Sequence, residues 1–311
     1  VAPEQKSASR RIVLTRASGQ NETLRAELLR QLGGTTQIFE LPCVEFREPD
    51  ETAALDDAIR SLADFAWIFF TSQNAVRYFV RRMHALGTPP QNLPKAVRVG
   101  AIGPATAEAA IFEGFSVAFV PAAGTGRTFA AAFKDSVRST AGMEVKNSTA
   151  AFLRGVAGMK ILVPRSDLAL RDRGAADWTE SLSAAGAKVI TVTAYKTCAP
   201  RALSGSVLNQ ILQDGADCFV FASPSAFENF ANAAGTENLR RLSGESVFAA
   251  IGPTTAATIR AAGLRCAIES AEPNPKRLAQ AIAAQLTPSG AAVPGAAAAT
   301  RETAKHGAKF V

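Results

Sequence analysis

Short, fully apolar runs alternate with helical stripes along this chain, and glycines or small hydroxyl residues punctuate the switches. Ile12 to Leu14 is an apolar, strand-forming run; from Asn21 to Leu32, Leu24, Leu28 and Leu32 recur every fourth residue until Gly33 ends the pattern. Trp67-Ile68-Phe69-Phe70 is apolar at every position, breaks at Thr71-Ser72, and leads into Ala75, Val76, Phe79, Val80 and Met83, a helical stripe closed by Gly87. Val97 to Ile102 passes through Gly103-Pro104 into a helix from Ala105 to Phe112 that Gly114 stops. A strand without polar alternation is buried on both faces, so strands of this kind separated by helices predict parallel sheets flanked by helices.

The pattern occurs twice. Ala101-Ile102-Gly103-Pro104-Ala105-Thr106-Ala107 returns as Ala250-Ile251-Gly252-Pro253-Thr254-Thr255-Ala256, an offset of 149 (250 minus 101). Ile12 to Arg16 answers to Ile161 to Arg165 at 149, Gly34 to Ile38 answers to Gly186 to Ile190 at 152, Phe70 to Ser72 matches Phe221 to Ser223 at 151, and Phe129 to Ala131 matches Leu278 to Gln280 at 149. Five segments in one order and nearly one spacing describe a duplicated α/β unit. A chain of 311 residues also exceeds what one core usually organises, so two similar lobes are expected.

Residues 35–47 and 187–199 depart from the scheme. Both lack helical periodicity and stay extended for about 13 residues, on the order of 40 Å. Their matched place in the repeat predicts a two-stranded connector between the lobes; an edge strand followed by a loop is the alternative. With the connector, lobe one is discontinuous, built from residues 11–40 and 195–286 around a second lobe at 41–194. Residues 287–311 run through Pro288, Gly290, Pro294 and an alanine stretch to a basic end, and read as a disordered tail.

Composition narrows the chemistry. Apolar residues are 47% of the chain, yet no apolar run approaches the roughly 20 residues of a bilayer span, so no membrane role is expected. Cys43, Cys198, Cys218 and Cys266 show no CxxC spacing and fit free thiols in a reducing compartment. The histidines are His84, on a helix surface, and His306, in the tail, which leaves no His-based triad or His-rich metal site. There is no GxxxxGK[ST] loop, and Gly124-Thr125-Gly126-Arg127-Thr128-Phe129 lacks the third glycine of a dinucleotide fingerprint and reads as a turn. Carboxylates are scattered, with Asp167 alone near a strand end, in the loop after Val163. The net charge of +7 favours a polyanionic partner. Arg77, Arg81 and Arg82, like Arg171 and Arg173, are nevertheless mixed with acids and lack aromatic residues spaced for base stacking. They read as solvated helix faces, and nucleic acid is not expected.

What stands at the strand ends is a set of small hydroxyls and glycines: Thr15, Thr71, Ser72, Thr106, Ser223, Ser225, Thr254 and Thr255, with Gly103 and Gly252. In open parallel sheets ligands bind beyond the carboxyl ends of the strands, where helix N-termini offer unpaired N–H groups and a positive dipole end suited to carboxylates or phosphates. Serine and threonine there are also ordinary N-caps worth about 1 kcal/mol each. Each residue alone therefore carries both readings, and the matched positions in the two repeats are what favours a site. Arg16 and Arg165 follow their strands directly, where a side chain can turn to anchor a carboxylate.

From about residue 11 to 286 the chain resembles the uroporphyrinogen-III synthase family. The resemblance rests on Leu14-Thr15-Arg16, Phe70-Thr71-Ser72 followed by Asn74-Ala75-Val76, Tyr195-Lys196-Thr197, Phe221-Ala222-Ser223-Pro224-Ser225, Ala249 to Ala256, and Ala271-Glu272-Pro273-Asn274-Pro275. It implies two α/β lobes joined by a two-stranded antiparallel ladder, with the active site in the cleft between them. It also implies a monomeric, cofactor-independent hydro-lyase of tetrapyrrole (heme and chlorophyll) biosynthesis that needs no metal and cyclises hydroxymethylbilane. Tyr195 resembles the family's cleft tyrosine, which assists departure of the substrate hydroxyl; a packed aromatic with its hydroxyl in water is the alternative. Thr254 or Thr255 resembles the threonine of the opposite lobe. Thr71, Ser72, Thr106, Ser223 and Ser225 resemble groups that hold acetate and propionate side chains. Residues 134–158 form a longer connection than the motif spacing requires.

Two other functions fit parts of the pattern. A non-catalytic two-lobed binding protein could close on a polyanionic small molecule, and a DNA-associated regulator could carry such lobes, although no helix-turn-helix segment is left over for it. A missing initial methionine, the basic balance and the tail lead us to expect a plastid location, with a cytoplasmic one as the alternative.

Overall fold

Trp67-Ile68-Phe69-Phe70 and Cys218-Phe219-Val220-Phe221 are strands buried at every position, as their unbroken apolar character requires. The structure, a computed structural model, describes residues 9–121, 126–144, 155–171, 177–270 and 274–287. Its strands are β1 (Arg11–Leu14), β2 (Gln37–Glu40), β3 (Glu45–Arg47), β4 (Trp67–Phe70), β5 (Arg98–Ala101), β6 (Val117–Phe119), β7 (Lys160–Ser166), β8 (Lys188–Cys198), β9 (Cys218–Phe221), β10 (Val247–Ala250) and β11 (Ile268–Glu269). They form two sheets, ordered β11-β10-β9-β1-β2 and β3-β8-β7-β4-β5-β6. Every pairing is parallel except that of β3 with β8.

The sequence repeat maps β1 and β2 onto β7 and β8, and β4 to β6 onto β9 to β11. Both sheets therefore carry one strand order, second-first-third-fourth-fifth, with β3 added at the edge of the second. Each sheet takes its first two strands from one copy and its last three from the other. The helices Gly126–Glu144 and Pro275–Leu286 occupy matching places, one on each sheet.

The extended segments resolve differently from one another. Residues 35–47 hold two strands: β2 pairs with β1 in the first sheet, and β3 joins the second. The crossing between them stays tied to the first sheet through Leu41 N–H to Leu14 C=O (2.9 Å) and Cys43 N–H to Thr15 C=O (3.0 Å). Residues 188–198 are one strand, which runs parallel to β7 and then pairs antiparallel with β3 at Lys196, Thr197 and Cys198. The antiparallel ladder is thus three residue pairs long, far shorter than the connector expected from 35–47 and 187–199. β2 belongs to the first sheet, on β1, so only the short β3 is left to meet β8 on the edge that β7 does not take.

Aromatic residues fill both cores. In the second lobe Phe69 meets Phe129 and Phe133 edge-on, each with ring centroids 4.8 Å away; in the first, Phe219, Phe221, Phe230 and Phe248 pack together. Each such side chain contributes about 1.5–3 kcal/mol by leaving water. Gly100 on β5 makes the first cluster possible, since a Cβ there would lie 2.4 Å from Phe69 Cε1.

The segment 134–158 is a connection only in part. The helix Gly126–Glu144 covers its first portion, Val156 is buried against the second sheet, and 145–154 lie outside the described residues. The tail from 288, Gly124-Thr125, Arg173 and Ala271-Glu272-Pro273 also lie outside them, and Gly126 to Phe129, expected in a turn, instead begin the helix Gly126–Glu144. His84 is exposed, as its helix position suggests. Arg82 is not a solvated residue: it donates twice to Asp56, at 2.6 Å each, and holds that carboxyl below the usual range. Among the described residues no helix is long and apolar enough to cross a membrane.

Candidate active site

A strand order of second-first-third reverses direction between the first and third strands, and helices leaving those two strands go to opposite faces and open a crevice beyond their carboxyl ends. In the second sheet the reversal lies between β7 and β4. The residues that follow are Ser166-Asp167 and Thr71-Ser72, and Tyr195 reaches this point from neighbouring β8. Its position depends on an irregularity: Arg165 pairs with Thr193, but Ser166 pairs with Tyr195, so Ala194 is an extra residue on β8. A bulge of this kind re-aims the side chains beyond it. Ala194 and Tyr195 are consecutive, and both are buried in the same core cluster of the second lobe.

Tyr195 is 7% exposed, its hydroxyl lies 3.2 Å from Ser72 Oγ, and Ser166 is its partner in the β7–β8 register. Its ring sits edge-on to Phe46 (centroids 5.6 Å) and stacked on Tyr78 (5.7 Å), whose own hydroxyl donates to Phe46 C=O at 2.6 Å. Burial pushes the Tyr195 phenol up from its ordinary value, the neighbouring hydroxyls of Ser72 and Ser166 oppose that, and the nearby Asp167 carboxylate adds to it. The result is a neutral phenol with a proton to give. Asp167 begins a short helix, Asp167–Arg171, rather than lying in a loop, and its Oδ1 accepts from Thr197 N–H at 3.0 Å.

The other strand ends form matched pairs. Ser72 and Ser223 share extended backbone and cap the helices Gln73–Ala85 and Pro224–Ala234, each Oγ accepting an N–H at 3.1 Å. Ser223 and Ser225 lie 3.1 Å apart, oxygen to oxygen, and Thr71 is half-buried beside the reversal. Gly103 and Gly252 precede the helices Pro104–Phe112 and Pro253–Ala261 without a side-chain cap. A methyl group on either glycine would meet no atom within 4 Å, so the space before these N–H groups is open. Thr254 is exposed, whereas Thr106 and Thr255 are buried in their first turns. Thr15 is fully buried, and its hydroxyl donates to Val220 C=O at 2.8 Å; it closes the first sheet's own reversal point.

The two arginines after strands have separate fates. Arg165 donates to Asp177 at 2.6 Å in a pair whose side chains are 11% and 3% exposed, which makes it a structural cation and not a cleft anchor. Arg16 makes no ion pair among the described residues; its Nε donates to Gln20 Oε1 at 3.1 Å, and burial lowers its pKa. Gln20 lines a cavity of about 640 Å³ whose wall also includes Ser18 from the first lobe and Asn74, Arg77, Tyr78 and Arg81 from the second. The helix N-termini at 103–106, 223–225 and 252–255 lie outside that wall. The cavity meets the Tyr195 cluster through Tyr78.

Sequence reasoning missed Ser166, Phe46, Tyr78 and Gln20; it placed Arg77 on a solvated face, and Arg77 is exposed there while also bordering the cavity. A usable signal existed for Tyr78: Asn74 and Tyr78 stand four apart beside the apolar stripe, so one helix face carries both. No sequence signal marks the bulge that brings Ser166 to Tyr195. Among the described residues no group of three or more His, Cys, Asp or Glu is placed to hold a metal ion. All four cysteines are free, and burial pushes the Cys43 thiol up to about 12.

Known proteins place this geometry. The family model described as uroporphyrinogen-III synthase HemD matches residues 22–280. A uroporphyrinogen-III synthase of Synechococcus elongatus is 28% identical over 273 residues, 86% of this chain and 92% of that one; another, of Chlorobaculum parvum, is 28% identical over 243 residues, 76% and 83%. Among solved structures, a mutant uroporphyrinogen III synthase of Thermus thermophilus superposes with a TM-score of 0.56 at 15% identity, covering 89% of this chain and 99% of that one. The Helicobacter pylori uroporphyrinogen-III synthetase gives 0.54 at 17%, covering 89% and 100%. These likenesses show the same two-lobed α/β fold, and with the match across most of its length the chain belongs to the uroporphyrinogen-III synthase family.

Proposed function

We propose that the chain is a monomeric uroporphyrinogen-III synthase that cyclises hydroxymethylbilane with loss of water and inversion of the terminal pyrrole ring. The family match over residues 22–280 carries this reading, and it disfavours the non-catalytic binding protein. The neutral, buried phenol of Tyr195 at the strand reversal supports the chemistry.

A hydroxymethylpyrrole is a ready electrophile, because its nitrogen lone pair pushes out the hydroxyl. Tyr195 gives its proton to that oxygen as the C–O bond breaks, and water leaves. The azafulvene carbon is then attacked by the substituted position of the terminal ring, forming a spiro intermediate that fragments and recloses with the ring turned over. The proton released on rearomatisation returns to Tyr195. What the protein adds is mainly geometry, holding the two ends of a flexible bilane together. Neutral donors suit its many carboxylates, since unpaired buried cations are costly. Thr71, Gly103 and Thr106 in one lobe and Ser223, Ser225, Gly252, Thr254 and Thr255 in the other hold acetate and propionate groups, the buried Thr106 and Thr255 through their backbone N–H. Arg16 and the cavity-lining Arg77 supply the charged contacts.

The test is turnover. Freshly prepared hydroxymethylbilane should disappear faster with the protein than without it, and Tyr195→Phe should remove about 10²-fold of the rate while costing only about 1 kcal/mol of stability. A rate equal to the protein-free control would overturn the enzyme reading, and a loss of activity explained wholly by a collapsed melting transition would return Tyr195 to a packing role. The plastid stroma, and with it supply to chlorophyll, is the location proposed; imaging a fluorescent fusion of the complete gene product decides between plastid and cytoplasm.

A further inference from the structure

We infer that Ser72 and Ser166 form a two-donor cradle that positions the Tyr195 hydroxyl and receives the charge left on it when its proton departs. The inference rests on Tyr195 as the general acid and assigns Ser166 a function that no motif suggests.

Ser72 stands two residues past β4 and Ser166 ends β7, the neighbouring strands between which the sheet's order reverses. Each oxygen already accepts one hydrogen bond: Ala75 N–H donates to Ser72 Oγ and Ala169 N–H to Ser166 Oγ, each at 3.1 Å. A serine oxygen that accepts from a helix start still has its own hydrogen to give. The Tyr195 hydroxyl lies 3.2 Å from Ser72 Oγ, and Tyr195 is the residue that Ser166 pairs with across β7 and β8. With two hydrogens directed at its oxygen, Tyr195 keeps its own hydrogen for a partner in the cleft. When that proton leaves, the phenolate inherits both donors without any movement, which is the preorganisation that makes such contacts effective. Phe46 and Tyr78 fix the ring on two sides, so the oxygen cannot swing out to water.

Around this oxygen the titratable and charged groups are few. Asp167 stands next to Ser166 and Tyr78 stacks on the ring. On β3, Glu45 and Arg47 pair with each other; on β8, Lys196 pairs with Asp50. On the helix Gln73–Ala85, Arg81 pairs with Glu48 and Arg82 with Asp56, leaving Arg77. The serines are therefore the groups that touch the phenol and can respond to its ionisation.

The chain has two tyrosines, so ¹³Cζ-labelled tyrosine gives the full-length protein two signals, assigned with Tyr78→Phe. Glycine is nearly as good an N-cap as serine, so Ser166→Gly and Ser72→Gly remove the hydroxyl and keep the helix start. Each is expected to move the Tyr195 signal at pH 8 while that of Tyr78 stays, and to lower kcat about tenfold, the loss of one hydrogen bond to a developing charge, with KM within about twofold. Ser166→Thr should restore both. Unchanged Tyr195 signal and unchanged kcat per folded molecule in Ser166→Gly would overturn the cradle and leave Ser166 as a cap. A Tyr195→Phe enzyme of full kcat would instead defeat the general-acid reading, an outcome separate from the signal shift.

Discussion

Single residues in this molecule are decided by neighbours far away in sequence. Gly100 reads in the chain as one more position of an apolar strand, yet the ring of Phe69 lies where its Cβ would be. Gly100→Ala is expected to cost about 1–3 kcal/mol through overpacking, measured by urea unfolding, whereas Gly34→Ala, with nothing within 4 Å, should cost far less. Arg165 shows the same limit from the other side. The sequence put it after a strand, as it put Arg16, and could not show that Asp177 would take it. Burial alone would raise the Asp177 carboxyl, but the bonds from Arg165 and the Thr179 N–H outweigh that and hold it below the ordinary value. A carboxyl depressed on folding adds stability that is present above its unfolded pKa and is lost as pH falls through the folded value, here below about pH 4. Arg165→Met leaves the carboxylate buried without its partner and should cost about 3–5 kcal/mol near neutral pH. Protonation relieves that penalty, so unfolding curves at pH 7 and pH 4.5 should show the gap between variant and wild type shrinking at the lower pH. A gap of constant size would mean that packing, not charge, dominates.

At the scale of elements, apolar runs and glycine stops located the strands and helices that flank the site, because burial on two faces and a helix end each leave a local signature. Pairing does not. The lengths of 35–47 and 187–199 predicted a long ladder, but which strand receives a hydrogen bond is settled by the sheet as a whole, and it left three residue pairs. The repeat did locate the helix starts at Gly103 and Gly252, and the open space before them gives a clean test. Their backbone is extended, a conformation open to any residue. Gly103→Ala and Gly252→Ala should therefore keep the melting temperature within about 2 °C, since a surface change without strain costs under about 0.5 kcal/mol. Each should still raise KM several-fold, because the methyl group occupies the approach to the helix N–H groups. Unchanged KM in both variants would remove these helix starts from the binding surface.

Over the whole molecule, duplication did more than supply two domains. Because β1 and β2 sit with β9 to β11, while β7 and β8 sit with β4 to β6, neither lobe is the product of one copy, and the chain crosses between lobes twice. That exchange was legible from where the extended segments fall within the repeat. The divergence of the copies was legible only in part. In the first lobe the reversal point is closed by Thr15 on Val220 C=O; in the second it holds Tyr195 between two serines. The position of Tyr195 in the other copy is Cys43, an inert thiol packed in the first core. In the proposed reaction one lobe offers the proton, and both offer walls to a folded bilane. The most direct test of this account is the isomer formed when the protein is given freshly made hydroxymethylbilane in a single turnover. Uroporphyrinogen III, with its terminal ring inverted, is the predicted product; uroporphyrinogen I alone, formed at the protein-free rate, would contradict it.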